Sequence, residues 1–243
     1  MPSRRTTWVK AMLLAALALM FAVKINSGTL TYYINQRFAW LALVAVLLFA
    51  AMALTAAYRL MTRTTVESPL GAAHGRVSAL GIGLVALPAL LGLLVPARPL
   101  GASAVAGRDL SLGAPARAGA VAVNPRGGGS RTIIDWLIEM GRNPDPSALN
   151  GQSADVVGFV YRDARLAADQ LYVARFTLSC CVADAAPVAL LVQSSDAAAL
   201  KNDAWIRVTG RFAAGAAGGT PAPVLVAERI DAVEPPAQPY LLP

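Results

Sequence analysis

The chain has 243 residues, 56% of them hydrophobic and only 14% charged, and its mean hydropathy is +0.53, values that exclude an ordinary soluble globular protein. The formal charge of +7 is uneven: residues 1–149 hold fourteen Lys and Arg against five Asp and Glu, and residues 150–243 hold seven against nine. The basic excess therefore flanks apolar segments, where arginines anchor helices at lipid headgroups, and the second half has no cationic footprint for nucleic acid. The only two cysteines are adjacent, which excludes a disulfide framework.

A bilayer core about 30 Å thick needs roughly 20 apolar residues in helix. Residues 8–25 qualify, with an unbroken apolar run from Ala11 to Val23 and Lys10 and Lys24 placed to snorkel from its ends. Residues 39–60 qualify more strongly, flanked by Phe38 and Trp40 at one end and Tyr58 and Arg59 at the other, as befits interfacial anchors. Residues 77–96 are expected to form a third span, uncharged and containing Gly81, Gly83, Pro88 and Gly92, residues that membrane helices tolerate. The first segment lacks the small-x-small site of a cleaved signal peptide, since Val23 and Lys24 follow Ala22. With the N-terminus inside, the cytoplasmic side receives Arg4, Arg5, Lys10, Arg59, Arg63 and Arg76, and the far side Lys24, Arg37, Arg98 and Arg108. This asymmetry and the odd number of spans place the C-terminal domain outside the cytoplasm, with membrane lipid as a partner.

Residues 97–130 shift to Ala, Gly, Pro, Ser and scattered Arg without periodicity, the composition of a flexible tether. Residues 131–149 then hold a short amphipathic helix and a turn, with Ile133, Ile134, Leu137 and Met140 at helical spacing. From residue 150 to 243 five short β-rich runs follow, at 155–161, 171–179, 187–193, 205–212 and 224–233. Tyr172, Ala174, Phe176 and Leu178 share one face of the second run, and Ile206, Val208 and Phe212 one face of the fourth. Five strands, with a helical stretch at 195–200 between the third and fourth, predict a five-stranded barrel of the oligonucleotide/oligosaccharide-binding (OB) type that stands alone. The expected fold is thus three membrane helices and an all-β, OB-like domain.

The sharpest chemical feature is Cys180-Cys181-Val182-Ala183-Asp184 at the end of the second run. Cys180, Cys181 and Asp184 offer S, S and O donors to a soft or borderline cation such as Zn²⁺ or Cu⁺. Adjacent residues of a strand point to opposite faces, so both thiols reach one metal only where the backbone bends. The plainer reading makes one cysteine a small core hydrophobe, and a third makes the vicinal pair a strained, readily reduced redox switch. Tyr161, Asp163, Arg175 and Arg207 form a second candidate, a small polar and aromatic binding surface on the barrel. The single histidine, His74, falls in the loop before the third span, so no Ser/His/Asp or Cys/His catalytic set assembles. Gly127–Gly129 lack the Lys-Ser/Thr of a phosphate loop, and the spans carry no interior charge that would mark an ion pathway. A non-enzymatic protein is expected.

Several of these motifs carry a resemblance. Val156-Val157-Gly158-Phe159-Val160-Tyr161-Arg162-Asp163, Val173-Ala174-Arg175-Phe176, the Cys180–Ala185 element, Trp205-Ile206-Arg207-Val208-Thr209-Gly210 and Pro239-Tyr240-Leu241 together resemble a bacterial family of permease subunits. Its members are membrane-anchored proteins of undetermined biochemistry encoded beside a larger multi-spanning permease. Tyr33-Ile34-Asn35-Gln36-Arg37-Phe38 is similar to that family's Tyr-Ile-x-Pro-Arg element, with Gln36 in the proline's place. The resemblance implies a multi-spanning permease as partner, the bacterial inner membrane as location, and use of the Cys-Cys-Asp cluster by a metal-handling system. The function expected is an accessory subunit of a permease. The competing classes are an OB-like binder of single-stranded nucleic acid or oligosaccharide, against which the second half's net charge of −2 argues, and the thiol switch.

Overall fold

A computed structural model describes residues 4–62, 79–105, 108, 110 and 131–242. His74, Arg63, Arg76 and Gly127–Gly129 lie outside the described residues. The chain divides into two compact units, residues 1–98 and 99–243.

In the first unit, α1 (Arg4–Asn26) and α2 (Ala39–Thr62) are long and apolar enough to cross a membrane. They pack against each other, with Phe21 and Phe49 stacked at ring centroids 6.1 Å apart, and small residues are buried on both, Ala11 and Ala18 on α1 and Ala42 on α2. Small residues let backbones approach where lipid offers no hydrophobic drive for association. The third apolar segment forms α3 (Ala79–Leu94), which packs close to α1: a Cβ on Gly92 would sit 2.4 Å from the Met20 sulfur. Its sixteen residues rise about 24 Å, short of a 30 Å core. Two of the three expected spans therefore stand as membrane-length helices.

Between α1 and α2 the chain turns at Gly28 (φ 70°) and enters a 3-10 turn at Gln36–Phe38. Asn35, only 2% exposed, caps that turn by accepting the Arg37 backbone N–H at 2.9 Å. Gln36 occupies the first position after the cap, where a backbone N–H is spare and proline is equally acceptable. The exchange of proline for Gln36 is thus conformationally mild.

In the second unit the five expected runs become β1 (Ser153–Tyr161), β2 (Gln170–Thr177), β3 (Ala186–Gln193), β4 (Trp205–Ala217) and β5 (Thr220–Ala232). They close in the order β1-β2-β3-β5-β4. All pairings are antiparallel except the short parallel contact of β3 with β5 at Val192 and Gln193. β1 serves two neighbours, pairing with β4 from Ser153 to Phe159 and with β2 only from Phe159 to Tyr161. At the crossover Gly158 is required, because a Cβ there would lie 2.5 Å from the Ala174 carbonyl oxygen. Gly218 and Gly219, both at positive φ, make the two-residue hairpin between β4 and β5 that needs such backbone at both central positions. The expected helical stretch at 195–200 contracts to a 3-10 turn at Ala197–Ala199.

Two apolar layers hold this unit. The inner one gathers Val156, Val160, Leu171, Val173, Leu190, Ile206, Val208 and Leu225 with Ile133, Ile134, Trp136 and Leu137 of α5 (Ile133–Arg142). α5 starts with a reciprocal capping box: Asp135 N–H donates to the Thr132 hydroxyl, and the Asp135 carboxylate accepts Thr132 N–H. Its Trp136 ring lies 4.8 Å from that of Phe212. The outer layer is Phe159, Tyr172, Ala174, Phe176, Ala189, Leu191 and Trp205, covered by Ala102 and Val105 of α4 (Ala102–Val105) and by Tyr240 of the C-terminal tail. β2 and β3 are consequently buried on both faces, and Trp205 belongs to the outer layer.

Residues 99–105 and Arg108, expected to belong to a tether, are instead a strap over the sheet; residues 106, 107, 109 and 111–130 of that expected tether lie outside the described residues. The strap donates Leu100 N–H to the Tyr240 hydroxyl at 3.0 Å and Ala102 N–H to the Asp203 carboxylate at 2.5 Å. Its composition is poor in large side chains because it lies flat on a crowded apolar face. The folding unit thus begins at residue 99. A fragment 150–243 lacks four large apolar side chains of α5, each worth roughly 1.5–3 kcal/mol when buried, against a typical total stability of about 5–15 kcal/mol. A fragment of residues 99–243 is expected to unfold cooperatively in urea, whereas 150–243 should aggregate or show no cooperative transition. Equal stability of the two fragments would show that strap and helix are passengers.

Candidate functional site

The connection from β2 to β3 carries the thiols. Leu178 is fully buried and fixes the end of β2, with its N–H donated to the Leu241 carbonyl at 3.1 Å. The chain then bends at Ser179 and Cys180 and makes a 3-10 turn at Val182–Asp184 before entering β3. Asp184 organises this loop: one carboxylate oxygen accepts Cys180 N–H at 2.7 Å, the other Ser179 N–H at 3.3 Å. Its own N–H donates to the Cys181 carbonyl at 3.0 Å.

The bend does what an extended strand does not: it sets the two sulfurs side by side, 3.6 Å apart. Both thiols are free, Cys180 exposed and Cys181 half-buried. A pair of thiolates on one tetrahedral Zn²⁺ at about 2.3 Å per bond has its sulfurs about 3.8 Å apart, so the pair has the bite of a two-sulfur chelate. Asp184, expected as a third donor, here accepts a backbone N–H on each carboxylate oxygen. Among the described residues no group of three or more His, Cys, Asp or Glu side chains is arranged to hold a metal ion.

The acid and the thiol tune each other. Hydrogen bonding to Asp184, and then to Cys181, pushes the Cys180 thiol up to about 11. For Asp184 partial burial acts upward, but the Cys180 thiol and the surrounding backbone N–H groups outweigh it and hold the carboxyl below its ordinary value. At neutral pH Cys180 is a protonated thiol leaning on a carboxylate. The strap reaches the same turn: the Arg108 guanidinium donates to the carbonyls of Ala185 at 2.6 Å and Val182 at 3.2 Å, and lies 5.7 Å from the centre of the Phe176 ring.

The four residues expected to share a binding surface separate into two places. Arg175 and Arg207 line one groove of about 360 Å³ with Asp155 and Arg131. Arg175 donates to the carbonyls of Pro239 at 3.0 Å and Gln238 at 2.5 Å, lies 5.6 Å from the Trp205 ring centre, and is brought down to about 10 by burial. Arg207 makes a two-point ion pair with Asp155. Tyr161 lies four residues beyond Val157, the partner of Arg207 in register, hence about 13 Å along the strand. It stacks on Tyr172 with ring centroids 6.2 Å apart. Asp163 beyond it is held at about 2 by the side chain and then the backbone N–H of Arg165. Sequence reasoning missed Arg108, Asp203 and Tyr240, whose contacts are made over long separations; the one signal for Tyr240 is its place in the Pro239-Tyr240-Leu241 motif.

Two helices of membrane-crossing length and composition followed by a closed five-stranded ring with a vicinal dithiol define the class of this protein. Residues 9–111 match the DUF1980 N-terminal domain and residues 130–243 the DUF1980 C-terminal domain. Carrying both of its domains, the chain belongs to the DUF1980 family, which is uncharacterised. No curated protein and no solved structure matches the chain. The N-terminal match runs through the strap as far as residue 111.

The Cys180 environment makes a direct prediction. Asp184→Asn removes the charge that holds the proton on sulfur, so the thiol falls back toward 9 and its thiolate fraction at pH 8 rises from about 0.1% to about 10%. Alkylation of Cys180 at pH 8 by iodoacetamide, followed by peptide mass spectrometry, should quicken by roughly tenfold or more. An unchanged rate would mean that Asp184 does not govern the thiol.

Proposed function

We propose that this protein is a non-enzymatic, membrane-anchored accessory subunit of a multi-spanning permease, and that its OB-like domain handles a soft cation through Cys180 and Cys181. The observation that carries the cation half is the pair of free sulfurs 3.6 Å apart on an exposed turn. Thiolates favour Zn²⁺ and Cu⁺ over Mg²⁺ and Ca²⁺, and two sulfurs without a third fixed donor leave coordination positions for water or a partner's side chain. Such a site suits passing an ion on better than holding it permanently.

The accessory half is supported by the two membrane-length helices, which carry exposed Leu43, Leu47 and Leu54 on α2 and no acidic residue. In this reading α3, with the residues before it, completes a third crossing and the charge asymmetry puts the β-domain outside the cytoplasm of a bacterial inner membrane. The closed order β1-β2-β3-β5-β4 supports the OB-like assignment. It counts against a nucleic-acid or oligosaccharide ligand on the customary face, because OB-folds bind on the face of their second and third strands, and here that face lies beneath the strap and tail.

The test uses the full chain in detergent under reducing conditions. Zn²⁺ titrated calorimetrically should bind with one-to-one stoichiometry and with affinity that rises with pH, since binding releases thiol protons. Replacing both cysteines with serine should weaken binding at least about a hundredfold, while Asp184→Asn should retain it. Equal losses in the two variants would make Asp184 a ligand. Absence of binding in the native chain, with a disulfide found by thiol trapping, would replace cation handling with the redox switch. The partner half is read separately: recovery of the tagged chain from its own membranes should bring down a multi-spanning protein in comparable amount.

A further inference from the structure

Along one side of β1 runs a groove that neither the dithiol nor the barrel core uses. Two adjoining hollows, of about 500 and 360 Å³, share Arg131 and Asp155 and follow β1 from Gly151 to Val157. The start of α5 forms one wall, and Pro236 and Leu241 of the tail contribute to the other. From Ser153 to Val157 β1 pairs only with β4, and β2 joins it only at Phe159. Among the described residues no strand is paired to the other edge of β1 over that stretch.

The groove is positively charged in a region whose overall balance is negative. Arg207 is neutralised by Asp155, and Asp231 also lies in its field. Arg175 has backbone carbonyls and an indole face around it but no carboxylate. Arg131, with no ion pair among the described residues, lies over the Trp136 ring at 4.7 Å. Two guanidinium groups uncompensated by any carboxylate, set in a concave surface, favour an anionic occupant.

We infer that this groove receives an extended acidic peptide segment of a partner protein, which adds as a strand to the open edge of β1 over Ser153–Val157 and sets its carboxylates against Arg131 and Arg175. Main-chain pairing supplies affinity and alternate side chains supply selectivity in such strand addition. Val157 and Ile133 add apolar lining to the same hollow as the arginines. The chain's own residues 111–130 are a poor occupant, with Arg117 and Arg126 and no Asp or Glu. Gly151 to Val157 spans about 23 Å, the length of about seven extended residues.

The probe is a fluorescein-labelled peptide of about that length with alternating Glu and Val, added to the full chain in detergent and followed by fluorescence anisotropy. Binding is expected to weaken with added salt. The Lys-for-Glu counterpart should bind at least about tenfold more weakly, as should a peptide N-methylated at alternate residues. Arg131→Glu, at an exposed position ahead of α5, should cost about tenfold without altering the circular dichroism spectrum. No binding, equal binding of the Lys peptide, or indifference to Arg131→Glu would overturn the proposal. So would indifference to N-methylation, which would leave a mere electrostatic patch, or tighter binding of a short oligothymidine, which would make the groove a nucleic-acid site.

Discussion

Everything in the β-domain depends on covering the outer face of β2 and β3. Those strands carry large apolar residues on both sides, Leu171 and Val173 inward and Tyr172 and Phe176 outward. A sheet with two apolar faces needs two covers. The barrel closes over the inner face, and the outer face is closed by two stretches far apart in the chain, the strap with Ala102 and Val105 and the tail with Tyr240. The tail joins the sheet itself, pairing in parallel at Thr177 and donating Leu241 N–H to the Phe176 carbonyl at 2.8 Å. The strap is pinned to the tail through Tyr240 and to the turn before β4 through Asp203, whose φ of 68° is rare for a residue other than glycine. A non-glycine residue held there costs of order 1 kcal/mol or more, offset by the hydrogen bond it gives the strap.

What local pattern can encode was legible. The five strands, the amphipathic helix and the two long spans all rest on periodicities of 2.0 and 3.6 residues or on unbroken apolar length, and they appear within a few residues of their expected places. The strap was not legible because its information is not periodic. It contributes Ala102, Val105 and a single guanidinium, and its Gly- and Ala-rich sequence reads as a linker until the face it covers is seen. Alternation in β2 correctly grouped Tyr172, Ala174, Phe176 and Leu178, but it does not say which side of a barrel a face belongs to; burial of both faces removed the usual contrast. α3 reads as a span by composition, yet its helical portion, sixteen residues from Ala79 to Leu94, is short of one.

The thiol cluster was half legible. Residue types marked two thiols and a carboxylate close in sequence, and the need for a bend was foreseeable from strand geometry. The role of Asp184 was not, because a carboxylate four residues after Cys180 has two uses with the same spacing, as ligand or as cap of the loop's own N–H groups. A loop of eight residues that leaves a buried strand must satisfy its backbone donors somewhere, and a charged acceptor is a strong way to do so. That demand takes precedence here. The consequence is chemical: a carboxylate spent on N–H groups supports the cysteines as a proton-holding neighbour.

The same turn is gripped from the other side. The carbonyls of Val182 and Ala185 flank Asp184 in sequence and both accept from Arg108, so cation and carboxylate hold opposite polar groups of one short segment. Loss of the Cys180 proton removes a hydrogen bond from Asp184 and sets a second negative charge beside the turn. The loop that carries the sulfurs and the strap therefore meet in Val182–Ala185, and a substitution that loosens Arg108 acts on both.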